Sequence, residues 1–319
     1  MKTLLLWCLA ISLASAECAL AQSYPNHPIR WVVGTAPGGA GDIVARLVAN
    51  ELTQVFGQQV VVDNRPGASA MIGAAIVAKS PADGYTWLLG TGQHAINPGV
   101  VKKLPYDVIK DFTPVTSVVF MRYSLAVHPT VPAHSVKEFI ALAKARPGEL
   151  NFASGGTGTS AFLSGALLQV MANIKMVHVP YKAIGLAFSD AVGGHIGVIF
   201  PSVTSGLPFY KTGKLRPLGV TSPKRHHAIP DVPAIAEALP GYEVQSWFGV
   251  WVPAGTPRDI VERMHAVLVK VVNTPAIKTA LVAQGSDPET NTPDEFARLI
   301  QHEVARNAKV LRAVGVEPQ

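Results

Sequence analysis

Cysteine and charge are both scarce in this sequence. Of its 319 residues only 2 are cysteines, Cys8 and Cys18, and both lie near the N-terminus. Charged residues make up 15% of the chain and hydrophobic residues 48%, a balance typical of a well-buried globular protein, which excludes intrinsic disorder. Once the N-terminal segment is removed, the chain has no disulfide bond, no thiol nucleophile and no thiolate metal site.

Long hydrophobic runs are absent apart from one at the N-terminus. The positive residue Lys2 is followed by an apolar run from Leu4 to Ala16. This run is too short to span a membrane and is typical of a secretory signal peptide. Two sites have the small residues that signal-peptide cleavage requires, one ending at Ala16 and the other at Ala21. The polar residues after Ala21 favour the second site. We therefore predict a signal peptide over residues 1–21, cleaved near Ala21, and a periplasmic mature protein. The alternatives are a short N-terminal anchor and a lipid on Cys18, although the residues before Cys18 lack the usual small-residue pattern.

Basic clusters and enzyme motifs are missing as well. The formal net charge is +6, but Lys and Arg are scattered and the densest basic group, at 224–227, is interpreted as a solvated turn, so we predict no nucleic-acid partner. No G-x-S-x-G, G-x-x-x-x-G-K-[ST] or H-E-x-x-H motif occurs, and His94, His128, His178 and His195 are isolated in sequence. We predict no catalytic residue, no metal site and no cofactor. A secreted enzyme that uses one of the carboxylates or histidines is the competing hypothesis.

What the sequence does contain is an alternation of strands and helices. A buried strand at 29–33 leads through a glycine turn into a helix at 42–52, which Gly57 ends, and the same order recurs along the chain. Such alternation predicts an α/β fold with a largely parallel sheet. The length favours two domains without a flexible linker, so the chain is expected to cross between lobes near Arg122 and Gln245. The predicted domains are 22–122 plus 246–319 for lobe 1 and 123–245 for lobe 2.

Two glycine-rich turns, each between a predicted strand and a predicted helix, have the composition of anion-binding sites. Glycine lets the backbone approach a ligand closely, and the N–H groups of a helix's first turn favour a negative group. Neither turn contains a basic residue, so backbone N–H groups and hydroxyls have to compensate a bound charge. Alternatively, both are ordinary tight turns capped by Ser or Thr. The candidate ligand-binding residues are Ala36, Pro37, Gly38 and Gly39 in the first turn and Ser154, Gly155, Gly156, Thr157, Gly158, Thr159 and Ser160 in the second.

The second turn also matches one form of the dinucleotide pattern, G-x-G-x-x-A, at 156–161. An acidic residue should follow about 20 residues later, at the end of the next strand. That region contains His178, Val179, Pro180 and Tyr181 instead. We therefore do not predict nucleotide binding.

Two further polar segments follow predicted strands, where ligands of open α/β sheets bind. One begins after the strand at 86–89 and offers Thr91 and Gln93. The other follows the strand at 197–200 and offers Ser202 and Ser205. We include these four side chains in the candidate ligand-binding site.

Ordered motifs over essentially the whole mature length make the chain similar to one family. They are Pro28-Ile29-Arg30-Trp31-Val32-Val33, Ala36-Pro37-Gly38-Gly39, Val62-Asp63-Asn64-Arg65-Pro66-Gly67-Ala68, Ala82-Asp83-Gly84-Tyr85-Thr86, His94-Ala95-Ile96-Asn97-Pro98, Leu104-Pro105-Tyr106-Asp107, His178-Val179-Pro180-Tyr181-Lys182, Pro230-Asp231-Val232-Pro233, Ser246-Trp247-Phe248-Gly249 and Pro253-Ala254-Gly255-Thr256-Pro257. In these motifs the chain resembles the Bug family, the extracytoplasmic receptors of tripartite tricarboxylate transporters.

The resemblance implies a two-lobed periplasmic-binding-protein type II fold with the ligand cleft between the lobes. It implies a small organic carboxylate as ligand, bound by the two glycine turns, with no catalytic role. The expected partners are membrane transporter subunits or a sensor kinase, and the protein is expected to be a monomer. The identity of the carboxylate does not carry over, because the sequence departs from the family pattern at Thr35, Ala183, Gly197 and Pro201.

Overall fold

The computed structural model describes residues 24–181 and 184–319. The predicted signal peptide at 1–21 and the sequence departure at Ala183 lie outside the described residues.

Strands and helices alternate along most of the chain. The strands are β1 (Ile29–Val33), β2 (Val60–Asn64), β3 (Thr86–Thr91), β4 (Phe112–Arg122), β5 (Ser124–Val127), β6 (Asn151–Ser154), β7 (Val177–Pro180), β8 (Val198–Ile199), β9 (Arg216–Val220), β10 (Gln245–Pro253) and β11 (Asp287–Pro288). The helices are α1 (Ala40–Phe56), α2 (Met71–Ala78), α3 (Gly92–Ile96), α4 (Val136–Ala145), α5 (Ser160–Ala172), α6 (Ile184–Val192), α7 (Val203–Lys211), α8 (Ile235–Ala238), α9 (Arg258–Val272), α10 (Pro275–Ala283) and α11 (Pro293–Ala313).

The strands form two sheets, one in each lobe. The six-stranded sheet of the first lobe has the order β11-β4-β10-β3-β1-β2, and the five-stranded sheet of the second lobe has the order β7-β6-β8-β5-β9. In the first sheet β1 pairs in parallel with β2 and β3, whereas β10 runs antiparallel to β3 and β4. Helices cover the sheets, so the molecule is a two-lobed α/β protein.

The chain passes between the sheets through two adjacent connections. β4 ends at Arg122 in the first sheet and β5 begins at Ser124 in the second, with Tyr123 between them. On the return, the Thr221 N–H donates to the Tyr123 carbonyl at 2.9 Å and the Val244 N–H donates to the Thr221 carbonyl at 3.0 Å. β10 then pairs with β4 in the first sheet. Residues of both connections line the cleft described below.

Local sequence signals account for several helix ends. α1 ends at Gly57, whose φ of 65° is left-handed, and the Gly57 N–H donates to the Thr53 carbonyl. α11 begins with a capping box, in which the Thr292 hydroxyl accepts from the Glu295 N–H and the Glu295 carboxylate accepts from the Thr292 N–H. Such caps satisfy backbone groups that the helix itself leaves unpaired.

The last turns of α11 connect the two lobes. The helix starts against the first sheet, where Phe296 and Ile300 are buried. Near its C-terminal end, Val310 and Leu311 are buried in the core of the second lobe and the helix packs against α5. The chain end returns to the first lobe, since the Gln319 N–H donates to the Val100 carbonyl at 3.1 Å. α11 therefore belongs to the cores of both lobes.

Within residues 24–181 and 184–319, no single helix is long and apolar enough to span a membrane. α9 and α10 reach the required length and composition only when they are taken together across a bend of 73°. Their apolar faces pack in the first-lobe core, where Met264, Leu268 and Leu281 are fully buried.

Candidate functional site

A cleft between the lobes contains two cavities that share one wall. The first-lobe cavity has a volume of about 440 Å³ and is lined mainly by residues that follow β1, β2 and β3. The second-lobe cavity has a volume of about 290 Å³ and lies between α5, α6 and α7. The shared wall consists of Met121, Tyr123, Thr159 and Ser160. One small molecule can therefore contact both lobes at once.

Thr91 and Gln93 line the first-lobe cavity at the end of β3. Thr91 is held by His94, whose Nδ1 lies 3.0 Å from the Thr91 nitrogen. His94 is fully buried, and burial lowers its pKa to about 4, so the ring is neutral and accepts this bond. Gln93 lies against the second lobe, because a Cβ on Gly158 would come within 3.1 Å of the Gln93 Nε2 atom. Glycine at 158 thus permits the two lobes to approach at the cleft.

The second glycine turn brings the N-terminus of α5 to the cleft. The Thr159 hydroxyl caps α5 by accepting from the Phe162 N–H at 3.3 Å, and it donates to the Gly156 carbonyl at 2.8 Å. The first bond of the helix runs from the Leu163 N–H to the Thr159 carbonyl. The Ser160 and Ala161 N–H groups therefore stand outside the helix ladder, at the positive end of the helix dipole.

Tyr123 lies at the junction of the two cavities. Its hydroxyl is in contact with the Ser160 and Ser246 side chains, and burial raises the pKa of the phenol. Tyr123 is therefore a neutral hydrogen-bond donor between the lobes. Ser246 is also close to α3, since a Cβ on Gly92 would come within 2.9 Å of the Ser246 hydroxyl oxygen.

A strained segment, the left-handed strap Gly67–Ala70, forms part of the first-lobe cavity. Ala68, Ser69 and Ala70 have φ values of 46°, 54° and 66°, which are left-handed and unfavourable for residues with a Cβ. The Asn97 side-chain amide holds the strap by donating to the Ser69 carbonyl at 3.2 Å. Such strain is often concentrated at ligand-binding sites.

The first glycine turn lies beside the cleft rather than on its wall. Gly34 and Thr35 line the first-lobe cavity, whereas Ala36, Pro37 and Gly38 are exposed to solvent. Two donors of the turn are already bonded, because the Gly38 N–H donates to the Asp42 carboxylate at 2.9 Å and the Gly39 N–H donates to the Ala36 carbonyl at 3.0 Å.

Asp42 is a buried carboxylate in the first turn of α1. Burial acts to raise its pKa, but hydrogen bonds from Arg46, the Gly38 N–H and Asn64 together hold the pKa of Asp42 below its ordinary value. The carboxylate thus fixes the turn by accepting the Gly38 N–H. It also compensates part of the positive end of the α1 dipole.

A second cluster of charged residues lies where the lobes meet outside the cleft. His226 and His227 of the second lobe approach the Asp287 carboxylate of the first, at 2.9 and 3.7 Å. Arg122 donates to the same carboxylate at 2.8 Å. Burial acts to raise the pKa of Asp287, but the bonds from His226 and Arg122 keep it below its ordinary value. The positive charge of Arg122 disfavours a metal ion at this position, so we interpret the cluster as an Arg122–Asp287 ion pair to which His226 of the second lobe is hydrogen-bonded.

Comparison with known proteins gives the family. The sequence pattern of the tripartite tricarboxylate transporter family receptor matches residues 44–316. The chain belongs to this family. BugT of Bordetella pertussis (strain Tohama I) is 35% identical, with 99% of this chain and 98% of BugT covered.

Solved structures agree with this membership. The structure of R. palustris Rpa4515 with adipate is 36% identical and superposes with a TM-score of 0.75, covering 93% of this chain and 100% of that one. A TctC solute-binding protein from Polaromonas is 27% identical with a TM-score of 0.85, covering 91% of this chain and 100% of that one. The predicted periplasmic-binding-protein fold is confirmed, and the receptor belongs with solute-binding proteins rather than with enzymes.

The receptor brings together some of the predicted site residues and leaves others off the cavity walls. Those on the walls are Thr91, Gln93, Gly155, Thr159, Ser160, Ser202 and Ser205. Those that do not line either cavity are Ala36, Pro37, Gly38, Gly39, Ser154, Gly156, Thr157 and Gly158. Ser154 is engaged within the second lobe, because its hydroxyl lies 2.7 Å from the His178 Nε2 atom. The residues that do not line a cavity belong to the two glycine turns, and most of them fix the shape of these turns.

Sequence reasoning missed residues from the crossing connections and from the second-lobe wall. Tyr123 gave no sequence signal, since it is one aromatic residue between two strands. Ser246 and Phe248 belong to a motif that carried the family resemblance but was not assigned to the site. The lining side chains outside the predicted site are Thr35, Ser69, Ala70, Met121, Tyr123, Ala161, Phe188, Phe200, Pro201, Ser246 and Phe248.

Proposed function

We propose that the receptor captures a small organic carboxylate in the cleft between its lobes and delivers it to the membrane subunits of a tripartite tricarboxylate-type transporter. The observation that carries this proposal is the wall shared by the two cavities, where the N-terminus of α5 and the Tyr123 hydroxyl meet. Helix N-termini and hydroxyl donors bind anions without a basic side chain. We propose Ser160, Ala161 and Tyr123 as the central donors.

The proposed site includes donors from both lobes. Thr91 and Gln93 of the first lobe face Ser160 of the second across the first-lobe cavity, and Ser202 and Ser205 lie beyond Ser160. The two glycine turns support these walls, so Ala36–Gly39, Ser154 and Gly156–Gly158 enter the proposal as supporting residues, whereas Gly155 is part of the wall. A ligand that bonds to both walls stabilises the closed arrangement of the lobes.

The proposal extends to the organisation of the mature protein. Residues 1–21 are removed on export, 22–122 plus 246–319 form lobe 1, and 123–245 form lobe 2. The division follows the sheets, because β1–β4, β10 and β11 lie in one sheet and β5–β9 in the other. The receptor acts as a monomer in the periplasm.

Removal of the Tyr123 hydroxyl tests the proposed site. Tyr123→Phe is expected to weaken binding of the best carboxylate about 10- to 100-fold, because a hydrogen bond to a charged group contributes roughly 1.5–3 kcal/mol. Isothermal titration calorimetry against mono-, di- and tricarboxylates measures the effect. Tyr85→Phe is the matched control, since Tyr85 is bonded to Asn26, a first-lobe residue outside the cleft lining.

The two variants separate the site from general effects on folding. Unchanged affinity in Tyr85→Phe with a large loss in Tyr123→Phe supports the proposal. Equal affinities in both variants would show that the carboxylate binds elsewhere, and the absence of heat from every carboxylate would refute the proposed function.

A further inference from the structure

The first turn of α7 contacts the second-lobe cavity with one face and the first lobe with another. Ser202 and Ser205 line the cavity. They are three residues apart and therefore lie on the same face of the helix. Thr204 lies on a different face, and its hydroxyl donates to the carbonyl of Gly285 in the first lobe at 2.9 Å. One turn of helix therefore joins the second-lobe cavity to lobe 1.

The same turn offers hydrogen-bond donors to the cavity. The Ser202 hydroxyl donates to the Ser205 hydroxyl at 2.7 Å and accepts from the Ser205 N–H at 3.3 Å. Among residues 24–181 and 184–319 none accepts the proton of the Ser205 hydroxyl, which is therefore available to a ligand. The first bond of the helix runs from the Gly206 N–H to the Ser202 carbonyl. The N–H groups of Val203 and Thr204 thus stand outside the helix ladder, at the positive end of the helix dipole.

Gly285 receives the Thr204 hydroxyl because it is a glycine in a left-handed conformation. It follows the end of α10 with a φ of 79°, and its N–H donates to the Val282 carbonyl at 2.9 Å. A Cβ on Gly285 would come within 2.8 Å of the Thr204 hydroxyl oxygen. The N–H group is thus used within the end of α10, and the carbonyl is directed to the second lobe.

The second lobe holds the first-lobe segment 285–287 at both of its ends. Thr204 binds the Gly285 carbonyl at one end. At the other end the His226 Nδ1 atom accepts from the Ala228 N–H at 3.1 Å, so the His226 Nε2 atom carries the proton and donates to the Asp287 carboxylate at 2.9 Å. The segment leads into β11, which pairs with β4. It therefore forms a contact between the lobes that includes the ligand-facing turn of α7.

The Thr204–Gly285 bond belongs to the closed arrangement of the lobes. The lobes also meet at the first-lobe cavity, where Gln93 lies against Gly158. An O–H···O hydrogen bond is lost beyond a separation of about 3.5 Å, so a relative movement of the lobes by about 1 Å breaks the bond between Thr204 and Gly285. The bond is therefore made when the walls of the cleft are together and is lost when they separate.

Resting on the proposed function, we infer that Thr204 is a positioning residue that keeps the lobes together around a bound ligand. Its side chain lines neither cavity, so it acts through the turn that carries Ser202 and Ser205. Without the hydroxyl, closure would take water away from the Gly285 carbonyl and leave it unpaired, which is unfavourable, whereas opening would let water return to it. Thr204 therefore slows the release of the ligand without contacting it.

Thr204→Val and Thr204→Ser test this inference as a matched pair. Valine has nearly the shape of threonine without the hydroxyl, whereas serine keeps the hydroxyl and lacks the methyl group. The probe for every variant is the acid that the wild type binds most tightly among citrate, succinate, adipate, glutamate and benzoate. Surface plasmon resonance on the immobilised mature receptor measures the rate constants of association and dissociation. We expect Thr204→Val to raise the dissociation rate constant about 3- to 10-fold and Thr204→Ser to change it by less than about twofold.

Thr212→Val is the control within the same helix. The Thr212 hydroxyl donates to the Pro208 carbonyl at 2.8 Å, a bond within lobe 2 at the other end of α7. Its removal is expected to leave both rate constants nearly unchanged. Thermal unfolding of the ligand-free proteins is measured alongside, because a purely structural bond would lower the unfolding midpoint of Thr204→Val without changing the release of the ligand.

The outcomes distinguish the inference from the proposed function. Faster release from Thr204→Val, restored in Thr204→Ser and absent from Thr212→Val, supports the inference. Binding by the wild type with an unchanged dissociation rate constant in Thr204→Val, or equally fast release from Thr204→Ser, overturns the inference and leaves the receptor function intact. If neither these acids nor any other carboxylate binds to the wild type, both are overturned. Should Thr204→Val fail to fold, Thr204→Ala also lacks the hydroxyl and decides in its place.

Discussion

Glu303 is a buried carboxyl group with few partners. It is 2% exposed in the first-lobe core, where the Trp247 Nε1–H donates to one carboxyl oxygen at 2.8 Å and Arg306 lies 3.5 Å from the other. Burial raises the pKa of Glu303 from 4.5 to about 7. The core therefore favours the protonated form of this side chain below about pH 7.

This residue predicts a pH dependence of stability. Between about pH 4.5 and 7 the folded state holds a proton on Glu303 that the unfolded state has released, so the free energy of unfolding falls as the pH rises through this window. Glu303→Gln keeps an acceptor for Trp247 but does not titrate. The variant is expected to gain stability relative to the wild type from pH 5 to pH 8 in urea unfolding. Parallel pH profiles for the two proteins would contradict the assignment.

At the scale of elements, the left-handed strap Gly67–Ala70 stores backbone strain. Ala68 is exposed with a φ of 46°, a conformation that costs a residue with a Cβ roughly 1–2 kcal/mol. Ala68→Gly removes this cost but makes the unfolded chain more flexible, which offsets about 0.4–1 kcal/mol. The net expectation is a gain of about 0.5–1 kcal/mol in the free energy of unfolding.

Denaturant unfolding measures this gain, with Ala75→Gly in α2 as the control. In a regular helix the same change is expected to lose about 1 kcal/mol. Opposite signs for the two substitutions confirm strain in the strap, whereas a loss at both positions would show that Ala68 is unstrained.

The sequence predicted short elements well where local signals were strong. The strand predicted at 29–33 has those bounds in the structure, and the strand predicted at 86–89 lies within β3. β4 and β10 were missed, because they are buried and show no alternation of polar and apolar residues. β4 also contains Pro114, which sits next to a register shift opposite Trp251.

The same reasoning explains what could be predicted of the site. Glycine turns and Ser or Thr caps are local signals, so Thr159 and Ser160 were found. Tyr123 and Phe188 line the cleft because of distant pairings, including the bond from the Thr221 N–H to the Tyr123 carbonyl. Such pairings join residues that are far apart in the chain, so no local sequence pattern predicts them.

At the scale of the whole molecule, α11 predicts cooperative unfolding. Proteins of two domains often unfold in separate steps. Here Leu311 of a first-lobe helix is fully buried in the core of the second lobe, so loss of either lobe exposes it. We expect one calorimetric transition for the wild type. Leu311→Ala is expected to lower its midpoint, at a cost of about 2–5 kcal/mol.

Arg312→Ala is the control, because the neighbouring Arg312 is exposed on the same turn. It is expected to leave the midpoint nearly unchanged. Two resolved transitions in the wild type, or a midpoint equally lowered by both substitutions, would show that α11 does not couple the lobes.

The packing of α11 also limits how the lobes can move when a ligand enters. Simple rotation about the two crossing connections would pull Val310 and Leu311 out of the second-lobe core. Opening must therefore proceed partly by shear, in which these side chains slide over α5 by small steps while remaining buried. Shear between packed helices permits only small displacements, so the receptor is expected to admit its ligand through a modest opening and to keep a continuous apolar contact between its lobes throughout the cycle.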